Sequence, residues 1–78
     1  MNPETRERDV ILVEGVVLRV LRGDLHEVDC AEGSLGRKVL ARRSGRLNMH
    51  RIKIVEGDRV RVEISPYDLG RGRIVRRL

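Results

Sequence analysis

The sequence predicts an all-β fold: a five-stranded antiparallel barrel with a short helical turn between its third and fourth strands. Three observations lead there. Apolar and charged residues alternate in short runs, most clearly Val60, Val62 and Ile64 against Arg59, Arg61 and Glu63. That is the period of two of a half-buried strand. Glycine-bearing turn signals interrupt the chain at intervals of roughly 8–12 residues, the spacing of small sandwiches and barrels. Finally, 78 residues with 40% hydrophobic content, mostly Val, Leu and Ile, allow one domain with one small core. A core of that size gains from a closed barrel.

The elements follow in order. Residues 1–9, MNPETRERD, are charged and read as a flexible arm, leaving 10–78 as the folded domain. Val10 to Leu21, VILVEGVVLRVL, is rich in β-branched residues and reads as one long strand, with Gly15 marking a bulge or bend. Arg22-Gly23-Asp24 is a hairpin turn, and Leu25 to Ala31 the second strand. Gly33 to Gly36 is another turn. Arg37 to Arg43 forms the third strand, with Val39 and Ala41 on one face. Ser44 to His50 has no strong strand former, and Ser44 suits the cap of a short helical turn. Ile52 and Ile54 anchor the chain before a fourth strand from Asp58 to Ile64. Pro66 closes that strand because it offers no N–H to a ladder. Tyr67 to Gly72 reads as a tight reversal, and Arg73 to Arg76 as the fifth strand. Five strands so spaced match the oligonucleotide-binding (OB) barrel.

The charge is segregated. Residues 1–36 carry four Arg against eight Asp or Glu, whereas residues 37–78 carry thirteen Lys or Arg against four acids. Fifteen of the seventeen basic residues are Arg, the side chain that grips phosphate with two parallel N–H bonds. A basic half dominated by Arg fits a polyanion, most simply nucleic acid. Solubility alone would explain a net charge of +5 but not its separation along the chain. The densest stretch, Arg37 to Lys53 (RKVLARRSGRLNMHRIK), has seven Lys or Arg, one His and no acid. We take Arg42, Arg43, Ser44, Gly45, Arg46, His50, Arg51 and Lys53 from it as candidate RNA-binding residues, with Arg71 and Arg73 from the closing turn. These two basic elements are expected to form one continuous positive surface.

Other residues have plainer readings. His26, Val28 and Cys30 alternate and share the inward face, so His26 is expected in the core and Cys30 as a small buried hydrophobe. His26, Cys30 and His50 lack metal-ligand spacing. Tyr67, the only aromatic residue, is expected to pack over the closing turn. Without Phe or Trp the chain has no platform for stacking successive bases, which favours structured RNA held by Arg–phosphate contacts and shape.

Two stretches also resemble a known family. VEGDRVRVEISPYDLGRGRIV is similar to the C-terminal signature of the bacterial translation initiation factor one family, nearly complete and without gaps. SGRLNMHRIKI resembles that family's segment between strands 3 and 4, with Ser44, Gly45, Arg46, His50, Ile52 and Ile54 on matching positions and Lys53 in place of an Arg. EGVVLRVL resembles its opening strand. The likeness spans Val13 to Arg76. It implies an S1-like OB barrel that occupies the A site of the small ribosomal subunit. There it would contact decoding-site ribosomal RNA and an adjacent ribosomal protein, and work with other initiation factors. The chain departs from the pattern at Asn48 and Met49, where the family is usually basic. It departs also at Arg51, where many members have Tyr, at His26, where the family has an aromatic residue, and at Arg22-Gly23.

No nucleophile–base pair, phosphate-cradling loop or metal motif is present in the sequence, so no enzymatic activity and no cofactor are expected. No apolar run is long enough for a membrane span, the N-terminus lacks a signal segment, and Cys30 alone cannot form an intrachain disulfide. We therefore expect a cytoplasmic monomer with no membrane partner. Two other readings stand beside the initiation factor: a sequence-tolerant RNA-binding or RNA-chaperone module of the same fold, and a barrel that binds an acidic protein partner.

Overall fold

The computed structural model describes residues 10–30 and 38–78. They form five strands, β1 (Ile11–Val20), β2 (Leu25–Asp29), β3 (Lys38–Arg43), β4 (Arg59–Ser65) and β5 (Asp68–Arg77), and one short helix, α1 (Gly45–Met49), between β3 and β4. The strands close into a barrel in the order β1-β2-β3-β5-β4. The expected all-β barrel with its helical turn is therefore present. The N-terminal arm, the Gly33–Gly36 turn and the predicted strand ends at Ala31 and Arg37 lie outside the described residues.

Four of the neighbouring pairs are antiparallel, and β3 with β5 is parallel. A closed ring of five strands limits how far antiparallel pairing can run. Direction must alternate around a closed antiparallel ring, and a ring of five strands cannot alternate all the way round. One pair has to be parallel. It falls at β3/β5 because β1, β3 and β5 run the same way and β3 and β5 are the two of them that meet.

Alternation builds the core. Val13 and Val17 of β1, Val28 of β2, Val39 and Ala41 of β3, Val60, Val62 and Ile64 of β4 and Ile74 of β5 all point inward and are buried with Cys30. Leu47 of α1 and Ile54 of the following segment join them. Each of the larger side chains contributes about 1.5–3 kcal/mol by leaving water.

Two glycines permit this closure. A Cβ on Gly15 would sit 2.7 Å from both the Asp29 carbonyl oxygen and Val28 Cγ1, and one on Gly72 would sit 2.7 Å from Val62 Cγ1 and 2.8 Å from the Glu63 carbonyl oxygen. Gly15 thus marks a close approach of β1 to β2. The bulge expected there lies further on, between Val17 and Arg19.

The reversal expected over Tyr67–Gly72 is tighter than that. Ser65 pairs directly with Asp68, so Pro66 and Tyr67 alone turn the chain, and β5 begins at Asp68 instead of Arg73. Residues 69–71 are absorbed by a register shift between Ser65 and Ile64. Local side-chain bonds explain this: Ser65 Oγ accepts the Tyr67 N–H at 3.1 Å, and Asp68 Oδ1 accepts the Gly70 N–H at 3.3 Å. Tyr67 stands 88% exposed at the tip and does not pack over the turn.

Candidate nucleic-acid interface

The basic segment begins where β3 ends. Ser44 is the N-cap of α1: its backbone is extended and its Oγ accepts the Leu47 N–H at 3.3 Å. Its own N–H donates to the Ile74 carbonyl at 2.8 Å, tying the start of the helix to β5. The helix lasts five residues and buries only Leu47. It is stopped by Arg51, whose φ of +54° is left-handed, while the Ile52 N–H folds back to the Leu47 carbonyl at 2.9 Å. An αL residue without glycine's freedom costs roughly 1–2 kcal/mol, so its hydrogen-bonded surroundings must hold it.

This geometry leaves Gly45, Arg46, Asn48, Met49, His50, Arg51 and Lys53 exposed on one short excursion from the barrel. Among the described residues no acid pairs with Arg46, Arg51 or Lys53. Gly45 is not required sterically, since a Cβ there would meet open space. Of the residues singled out from the sequence, Arg46, His50, Arg51 and Lys53 therefore share one exposed excursion, their side chains without an ion pair among the described residues.

A second group lies on the outer face of β3 and β5. The parallel register sets Arg42 beside Arg73 and Leu40 beside Arg71. With Leu25, Arg43 and Gly72 they line an open cleft of about 350 Å³ that mixes apolar side chains with guanidinium groups. Arg42 and Arg73 are like charges in register, a repulsion that an anion would relieve. Arg73 is already drawn toward Glu63, at 2.6 Å.

Two of the residues singled out are also tied into the fold. Ser44 is buried and its hydroxyl caps the helix. Arg43 is half-buried, donating from Nε to Asp24 Oδ1 at 2.7 Å and from Nη1 to the Ile52 carbonyl at 3.0 Å. The structure also adds Arg77, whose Nη1 donates to the Lys53 carbonyl at 3.2 Å and brings the end of β5 to the basic segment. The Arg76-Arg77 pair is visible in the sequence, but nothing there shows that it returns to Lys53.

Residues 3–78 match the family described as translation initiation factor 1A / IF-1. The chain belongs to that family. Its fold is similar to the solution structure of translation initiation factor one from the Wolbachia endosymbiont strain TRS of Brugia malayi. The two share 32% identity with a TM-score of 0.74, over 100% of this chain and 88% of that one. A part of YjeQ from Thermotoga maritima shares the barrel at 23% identity and a TM-score of 0.65, over 87% of this chain and 23% of that protein. This second likeness concerns the fold alone. As an initiation factor 1A / IF-1 family member, the chain is a translation initiation factor with an OB barrel. No helix among the described residues is long and apolar enough to cross a membrane.

Proposed function

We propose that the chain binds the small ribosomal subunit at the A site, through decoding-site ribosomal RNA and an adjacent ribosomal protein, and helps assemble the initiation complex with the other initiation factors. It acts as a cytoplasmic monomer by occupancy and contact, with no cofactor and no catalytic step. The observation that carries this reading is the exposed segment of Arg46, His50, Arg51 and Lys53, with no acid paired to it among the described residues. Guanidinium and ammonium groups so placed neutralise phosphates and position the barrel on folded RNA. The cleft of Arg42, Arg71 and Arg73 supplies further cations on the barrel wall. Membership of the initiation factor family supports the subunit as the partner in preference to RNA at large.

Co-sedimentation with isolated ribosomal subunits tests it. The chain is expected to pellet with small subunits and to stay in the supernatant with large ones. Equal pelleting with both, or with unrelated RNA, would favour a sequence-tolerant RNA-binding module. Pelleting with neither would leave the acidic protein partner as the better account.

A further inference from the structure

We propose that Asp24 and Arg43 act as positioning residues that hold the basic segment in its RNA-binding geometry. This inference rests on the RNA-binding reading above. Asp24 is a carboxylate tied directly to the basic segment through Arg43, whereas Arg46, Arg51 and Lys53 make no ion pair among the described residues. Removing that negative charge would, on Coulombic grounds alone, favour a polyanion. Its presence asks for another role.

The bonding supplies one. Arg43 is two-pronged. Its Nε donates to Asp24 Oδ1 at 2.7 Å, while its Nη1 donates to the Ile52 carbonyl at 3.0 Å. The Ile52 N–H is held as well, by the Leu47 carbonyl at 2.9 Å. The peptide groups on both sides of Ile52 are thus fixed, one by α1 and the other by Arg43. Ile52 lies between Arg51 and Lys53, the two exposed cations at the helix exit, and Arg51 is the residue with left-handed backbone. Freeing the Ile52 carbonyl would let the strained Arg51 relax and carry both cations out of place.

Asp24 is the fixed end of this tie. It follows Gly23 in the turn between β1 and β2, and both are left-handed, at φ +67° for Gly23 and +63° for Asp24. Asp tolerates that region better than most residues. Beneath it His26 is buried on β2, with Nδ1 3.3 Å from the Ala41 carbonyl and Nε2 4.0 Å from the same Asp24 Oδ1 that receives Arg43. The chain of contacts runs from the barrel wall through Asp24 and Arg43 to the helix exit. With two of its five N–H donors engaged in this way, the Arg43 guanidinium directs the segment.

The two accounts of Asp24 predict opposite signs. The test measures binding of the full chain to isolated small subunits across a salt series, for the unaltered chain, Asp24→Asn, Arg43→Lys and the double variant. Asn suits the left-handed position, and Lys keeps the charge but cannot bridge two acceptors in the same fork. We expect Asp24→Asn to bind about threefold or more weakly although it adds net positive charge, with a log K against log salt slope shallower by about one. Arg43→Lys should behave alike, and the double variant should be no weaker than Arg43→Lys alone, because both changes act on the same tie, Asn leaving only a neutral acceptor in place of the carboxylate. Simple loss of folded protein would lower the bound fraction without changing the slope. Tighter or unchanged binding by Asp24→Asn, with an unchanged slope, would overturn the proposal. Should that variant melt below the assay temperature, Arg43→Lys decides, and an unchanged slope there overturns it. Arg46→Glu with Arg51→Glu serves as the reference: if that pair binds as the unaltered chain does, the RNA reading itself fails, whatever Asp24 does.

Discussion

At the scale of single residues, the glycines show how differently one residue type is used. Gly15 has no room for a Cβ, with backbone and side-chain atoms at 2.7 Å, whereas Gly45 faces open space at the start of α1. Gly15→Ala should lower stability by about 1–3 kcal/mol through overpacking. Gly45→Ala should raise it by about 0.4–1 kcal/mol by restricting the unfolded chain and favouring helix. Urea melts of the two variants check the pair of signs. Cys30 makes a pH-dependent prediction. Desolvation in the core raises its thiol above the ordinary value of 9.0, and the neighbouring Asp29 charge raises it further. The thiol of the unfolded chain then ionises first as pH rises. Its contribution to stability is complete below the ordinary value of 9.0 and is lost as pH climbs from there through the folded value. Stability should therefore decline in that alkaline range, and Cys30→Ala should make the decline shallower.

At the scale of elements, the strands are legible because a period of two leaves a plain mark on the sequence. Val60, Val62 and Ile64 alternate with charges and are fully buried, and Val39 and Ala41 lie inward as their spacing predicts. The Ser44 cap is legible for a similar reason, since a hydroxyl followed by residues without strand propensity has few other uses. The start of β5 is not legible. Two side-chain bonds, at Ser65 and Asp68, compress the reversal into Pro66 and Tyr67, and the glycine-rich run that follows gives no sign that the turn is already complete. His26 belongs inside, as its alternation with Val28 predicts, but its contact with the Ala41 carbonyl depends on a partner fifteen residues away. In sequence the basic segment looks like one set of ligands. Charge density cannot separate Arg46 and Arg51, which make no ion pair among the described residues, from Arg43, which is tied to Asp24. That separation yields a prediction. Arg46→Glu with Arg51→Glu should weaken subunit binding far more than Arg6→Glu with Arg8→Glu in the N-terminal segment, although both pairs change net charge equally. Equal losses in a titration would mean that only diffuse charge matters.

At the scale of the whole molecule, a closed barrel makes a rigid body that carries two basic groups, one on the α1 segment and one on the β3–β5 face. Such a body suits a folded RNA groove better than an extended strand, since Tyr67 is the only aromatic side chain and stands alone at a turn. Asn48 and Met49, standing where the resemblance implies basic side chains, should weaken binding relative to more typical family members without changing its location. With about five to eight phosphates neutralised, the slope of log K against log salt should be roughly −4 to −7. The most direct test of the central claim is chemical probing of small-subunit RNA with the chain bound, together with competition against aminoacyl-tRNA. Protection confined to decoding-site nucleotides, with A-site tRNA and the chain excluding one another, is the predicted result. Protections scattered over unrelated RNA, with A-site tRNA binding unaffected, would contradict it.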